Sequence, residues 1–176
     1  MMSVINRWSL RCEAVTSEDE KHRYILRIEW NKDKPKATVI LIQPTTAHPV
    51  DLDTTTMNVI NNLNQLNYGG CDIVNLFSLV CKKLPLGIPI QQLVREENVG
   101  YIQRSCVKSE VVIIAYGSVG SGSKRIMDYQ REFLHTHLNP FKQKMVKICG
   151  PHTDQAYHPL CPTVRSNWRL VPLFRD

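Results

Sequence analysis

The sequence predicts an α/β protein with three αβα layers around a short, four-stranded, mostly parallel sheet, plus an N-terminal edge strand. Three observations carry that expectation. Apolar, β-branched runs recur at 37–42, 71–77, 110–116 and 144–149, and runs without polar alternation suit strands covered on both faces. Segments with helical apolar spacing lie between them, at 53–67, 98–108 and 124–138. Strands and helices in alternation predict right-handed crossovers and parallel neighbours.

Each element follows from local chemistry. Residues 24–30 (YILRIEW) alternate apolar and polar side chains, the pattern of a half-exposed strand at a sheet edge. A polar turn containing Pro35 leads to 37–42 (ATVILI), which stops at Gln43-Pro44. In 53–67, Met57, Ile60, Leu63 and Leu66 fall at helical spacing, with Asp53 or Thr54 as N-cap. Tyr68-Gly69-Gly70 ends that helix, and 71–77 (CDIVNLF) reads as a second buried strand. A loop bearing Pro and Gly spans 82–89, a helix 98–108, and a third strand 110–116 (EVVIIAY), closing on Gly117. An amphipathic helix over 124–138 and a fourth strand over 144–149 (KMVKIC) complete the series. The chain, 1–176, reads as one domain, with a strand extension over 1–36 and a core over 37–162; it has no internal repeat.

Composition narrows the setting. A length of 176 residues, 43% hydrophobic and 22% charged, is ordinary for one globular domain. No apolar run approaches the roughly 18 residues of a membrane helix, so no membrane partner is expected. Residues 1–10 are polar, carry Arg7 and lack the apolar core of a signal peptide, so a cytoplasmic location is expected. The net charge of +6 either attracts nucleic acid or anionic metabolites or serves solubility. Lys82-Lys83, Lys108, Lys124-Arg125, Lys142, Lys144 and Lys147 are dispersed, so only folding can gather them into a patch. Six cysteines include no CxxC pair, and a cytoplasmic setting favours free thiols. Cys149-x-x-His152 and His158-x-x-Cys161 offer zinc-type ligands. Each half mixes Cys with His where a structural knuckle usually carries CxxC, so no metal and no cofactor is expected.

In parallel sheets ligands sit beyond the carboxyl ends of the strands, which makes those segments the candidate site. The first is Gln43-Pro44-Thr45-Thr46, leading to Asp53; rigid turn chemistry and helix capping explain it equally well. Asn75 lies between Val74 and Leu76, and its carboxamide must either bond to neighbouring loops or read a ligand edge. Gly117, Ser118, Gly120, Ser121 and Lys124 form a glycine loop between strand and helix. Such a loop suits either a phosphate or a flexible turn; it is neither a P-loop nor GxGxxG. His158, flanked by Tyr157 and Pro159, is placed for electrostatic work or for loop packing. No HExxH, paired catalytic carboxylates or Ser-His-Asp order is present.

In order, Arg23-Tyr24-Ile25-Leu26, Gln43-Pro44-Thr45-Thr46-Ala47, Asp53-Thr54-Thr55, Asn75-Leu76-Phe77, Tyr116-Gly117 and His158-Pro159-Leu160 resemble a bacterial and phage family known as domain of unknown function 1643. More distantly, the landmarks are similar to those of the uracil-DNA glycosylase superfamily. That resemblance implies a glycosylase-like protein binding a nucleobase in DNA or a nucleotide, with excision of a modified base as its reaction. It assigns Gln43 to orienting water and His158 to stabilising charge as catalytic residues. Pro44, Thr45, Thr46, Asp53, Asn75 and Phe77 become base or ligand contacts. Gln43 departs from the Asn or Asp of those enzymes and lacks their carboxylate. A non-catalytic interaction protein and an enzyme acting on a free nucleotide remain alternatives, and the sequence leaves the oligomeric state open.

Overall fold

The β-branched run after Lys36 becomes the strand on which the fold is centred. The structure is a computed structural model and describes residues 3, 5–45, 51–118, 121–152 and 155–174. In chain order the elements are β1 (Arg11–Thr16), β2 (Arg23–Glu29), β3 (Lys36–Leu41), α1 (Thr54–Gln65), β4 (Gly70–Asn75), α2 (Ile90–Leu93), α3 (Glu97–Lys108), β5 (Val111–Ile114), α4 (Lys124–His137), a 3₁₀ helix (Asn139–Lys144), β6 (Met145–Cys149) and β7 (Arg169–Pro172).

These strands form one sheet in the order β1-β2-β4-β3-β5-β6-β7. The inner strands β4, β3, β5 and β6 are mutually parallel, whereas β1, β2 and β7 join antiparallel. The expected sheet is therefore corrected: it is mixed and, among the described residues, seven-stranded rather than four-stranded with one edge strand. The segment at 24–30 is not an edge, because β1 covers it with Ala14 opposite Leu26 and Cys12 opposite Ile28. Its first residues are accordingly buried.

β3 explains why its sequence does not alternate. Val39 and Leu41 face one side with Ile73, Ile113, Val59 and Leu63 of α1, and Val164 and Trp168. Ile40 and Ile42 face the other with Val74, Ile102 and Cys106 of α3, and Ile126 and Phe133 of α4. Helices thus cover both faces, and apolar burial of this kind contributes about 25 cal/mol per Å².

α1 departs from its expected face. Met57 is exposed, and the buried stripe runs through Thr55, Thr56, Asn58, Val59, Asn62 and Leu63. Two asparagines tolerate burial because their amides are bonded. Asn58 Nδ2 donates to the Pro159 carbonyl at 3.1 Å. Asn62 Nδ2 donates to the Asn58 and Arg165 carbonyls at 2.8 and 2.9 Å, and its Oδ1 accepts the Trp168 N–H at 3.1 Å. Both side chains thereby fasten the segment after β6 onto α1, which fixes where His158 stands. Among the described residues no helix is long and apolar enough to cross a membrane.

Candidate functional site

β3 is followed by β4 on one side and, after the next crossover, by β5 on the other. A parallel sheet opens a crevice where its connections diverge in this way. A cavity of about 260 Å³ lies at the carboxyl ends of β3 and β4. Its walls are aliphatic, from Leu41, Ile42, Ile73, Leu84 and Leu160, and its polar groups are Arg23, Gln43, Thr45, Asp53, Thr55, Thr56, Lys82, Lys83 and His158.

Asp53 organises one side. It caps α1, with Oδ1 accepting the Thr56 N–H at 2.7 Å, while Oδ2 accepts the Thr45 hydroxyl at 2.5 Å. Burial alone would raise its carboxyl, but hydrogen bonds from Thr45 and Thr56 and the Arg23 charge outweigh that and hold it below the ordinary carboxylate range. Arg23 enters from the start of β2 and is only 7% exposed. Burial lowers its pKa and the facing Asp53 charge opposes the change; the guanidinium stays charged at any physiological pH.

His158 closes the opposite side. Its Nδ1 accepts the Leu160 N–H at 3.2 Å, so the neutral ring carries its proton on Nε2. Burial pushes its pKa down, with Asp53 pulling weakly the other way. The ring is therefore a neutral N–H donor near pH 7. Gly117 seats this loop: its φ is +54°, and a Cβ there would stand 2.7 Å from the His158 backbone nitrogen. Only glycine meets both conditions.

The cavity thus gathers Gln43, Thr45, Asp53 and His158 from the expected residues. Gln43 is not free to swing, since its Nε2 donates to the Cys81 carbonyl at 3.3 Å. Pro44 fixes the same loop through its carbonyl, which accepts the Cys81 N–H. Asn75 pairs with Leu41 across the parallel ladder and so shares its sheet face. It is fully buried and does not line the cavity. Neither its Nδ2 nor its Oδ1 has a hydrogen-bond partner among the described residues. Phe77 lies in the core, stacked on Tyr129 with centroids 5.3 Å apart. Ser118 accepts the Ser121 N–H in a tight turn, and Lys124 pairs with Asp128 at 2.6 Å on an exposed face of α4. Neither serine nor Lys124 lines the cavity, and Gly117 meets it only through His158. Thr46 and Gly120 lie outside the described residues.

Sequence reasoning did not single out Arg23, Lys82, Lys83, Asn58 or Asn62 as site or positioning residues. The available signals were an arginine opening an apolar strand, a lysine pair just past a strand end, and asparagines four apart in the register of Val59 and Leu63. Among the described residues no three His, Cys, Asp or Glu side chains are grouped to hold a metal.

No curated protein and no solved structure matches this chain. A family model does, over residues 23–160, from the buried arginine at one wall of the cavity to the leucine at another. The chain belongs to that family, described as a protein of unknown function (DUF1643).

Proposed function

We propose that this cavity binds a nucleobase with its sugar, in nucleic acid or in a nucleotide, as a glycosylase-like site. One observation carries the reading. An N–H donor (His158 Nε2), a buried guanidinium (Arg23) and an ionised carboxylate (Asp53) share one small, aliphatic-walled chamber. Its volume lies just below the usual range of about 300–1,000 Å³ for ligand clefts, which favours a base and sugar over a dinucleotide. Leucine and isoleucine walls suit the faces of a heterocycle, and the two donors suit its carbonyl edge. The parallel order β4-β3-β5-β6 with helices on both faces is consistent with the glycosylase-like resemblance.

The same groups support excision as the reaction. As the N-glycosidic bond breaks, its electron pair leaves with the base, which takes up negative charge, while positive charge develops on the sugar. His158 and Arg23 favour the first and Asp53 the second; water then adds to the anomeric carbon, and the proton it loses neutralises the departed base. Asp53 thereby supplies the carboxylate that Gln43 lacks. The test is base release from oligonucleotides carrying uracil and a panel of modified bases, and from free nucleosides and nucleotides, followed by chromatography. Release by the wild-type chain and its loss in His158→Ala is the expected result. Absence of both release and binding across the panel ends the reading; binding without release leaves a recognition module.

A second reading, an interaction protein, is favoured by Ile5 and Trp8. They are 81% and 86% exposed, and the family match does not include them. Large apolar side chains left in water at one terminus suit a partner surface.

A further inference from the structure

The cavity carries more positive charge than its own carboxylate balances. Among the described residues Arg23, Lys82 and Lys83 line it against one carboxylate, Asp53, leaving a surplus of two charges while His158 is neutral. The backbone on either side of the lysines is fixed, while both side chains are exposed. Just before them Cys81 is fixed at both backbone groups, its N–H donating to the Pro44 carbonyl and its carbonyl accepting from Gln43. Just after them Leu84 is buried in the cavity wall. Among the described residues neither lysine is in an ion pair. The first turn of α1, at Thr55 and Thr56, also opens on the chamber and adds the positive end of a helix dipole.

We propose that the natural ligand is a free nucleotide bearing a phosphomonoester, with the phosphate held by Lys82 and Lys83. A phosphomonoester carries about −1.5 to −2 charges at pH 7, which matches the surplus, whereas each phosphodiester of a nucleic-acid chain carries one. Lysine serves as a point-charge phosphate binder. This transfers phosphate recognition from the glycine loop after β5 to the loop after β4. The glycine loop's Lys124 is 90% exposed, pairs with Asp128 on the surface and does not line the cavity, and its Gly117 packs against His158. The inference rests on the cavity being a nucleobase site, and the experiment separates the two.

Calorimetric titration compares the common ribo- and deoxyribonucleoside 5′-monophosphates with their nucleosides, ribose 5-phosphate, inorganic phosphate and single-stranded oligonucleotides. It uses the wild-type chain and the Lys82→Gln/Lys83→Gln variant, whose exposed substitutions leave thermal stability unchanged. The expected result is a monophosphate bound about tenfold tighter than its nucleoside (about 1.4 kcal/mol), with the gap closing in the variant. Equal binding of nucleoside and monophosphate overturns the phosphate assignment and leaves the base site standing. Ribose 5-phosphate or inorganic phosphate binding as tightly as the nucleotide, with lysine dependence, overturns the base site and supports the anion site. An oligonucleotide bound more tightly than every monophosphate overturns the free nucleotide in favour of nucleic acid. No binding of any probe overturns both.

Discussion

The two ends of the parallel strands use the same residue types to different ends. At the carboxyl ends, Arg23 of β2 and Asp53 line a chamber together with His158 and the exposed Lys82 and Lys83. At the amino ends, Arg27 of the same strand meets Asp72 of β4 beside a second cavity of about 440 Å³. There most of the polar groups are bonded to one another. Arg27 Nε donates to Asp72 Oδ1 at 2.9 Å and its Nη1 to Glu13 Oε1 at 2.9 Å, while Ser105 Oγ donates to Asp72 Oδ2 at 2.8 Å. Thr38 Oγ1 donates to Ser109 Oγ at 3.0 Å, and Lys144 Nζ donates to the Cys106 and Ser109 carbonyls near the end of α3. A largely bonded network leaves less for a ligand and more for stability. Cavity size alone does not rank the two ends: the larger of these cavities is the one beside the bonded network, and the proposed ligand site is the smaller.

The largest expected effect tests that division. Asp72→Ala strands a half-buried guanidinium and Ser105, and should lower stability by about 2–3 kcal/mol. That range is reduced from the fully buried case because the Arg27 side chain is 34% exposed. Urea denaturation reads the loss, and the folded fraction should keep the ligand affinity of the wild type. Unchanged stability with lost binding would instead place the ligand at the amino ends.

Asn75 supplies a smaller effect of opposite sign. A buried amide with no partner costs about 1–3 kcal/mol, and Asn75 has both polar atoms in that state among the described residues. Asn75→Leu, close in shape, should therefore raise the urea midpoint by about 1 kcal/mol equivalent. Affinity for a nucleobase probe should stay near that of the wild type, because the side chain is fully buried and does not line the cavity. A loss of stability would show the amide to be satisfied in the fold.

How far the sequence shows this arrangement depends on the range of the interactions involved. The inner strands were legible because burial on both faces leaves uninterrupted apolar runs at 37–42 and 71–77. β1 (RCEAVT) and β7 (RLVP) were not, since strands this short and half-exposed give too few residues for a periodic signal to stand out, and it is β1, paired with β2, that removes 24–30 from the edge. Asp53 was readable as an N-cap, and Gln43, Thr45 and His158 as strand-end residues, all from local sequence. Arg23, Lys82 and Lys83 were not, because their convergence joins β2 to the loop after β4. Lys124 illustrates the converse: its sequence context suggests phosphate, yet a carboxylate four residues on claims it. Asn58 and Asn62 broke the expected helical face because hydrogen bonds to 159–168 replace the apolar burial that periodicity detects.

The smallest effect contrasts two histidines, one at the open chamber and one sealed beside it. His22 is buried against Ser78, with Nδ1 2.9 Å from Oγ, and burial lowers its pKa, as it does for His158. A histidine whose folded pKa lies below its unfolded value of about 6.5 contributes fully above that pH. As pH falls from there toward the folded pKa, the unfolded chain takes up a proton that the fold resists, and stability is lost. The urea midpoint should therefore decline as pH drops below 6.5, and His22→Gln should flatten part of the decline. His158→Gln should flatten another part and also weaken nucleobase binding at pH 7.5, which His22→Gln should leave intact. Equal loss of binding in both variants would extend the site to the sealed pair; loss in neither would remove the imidazole from it.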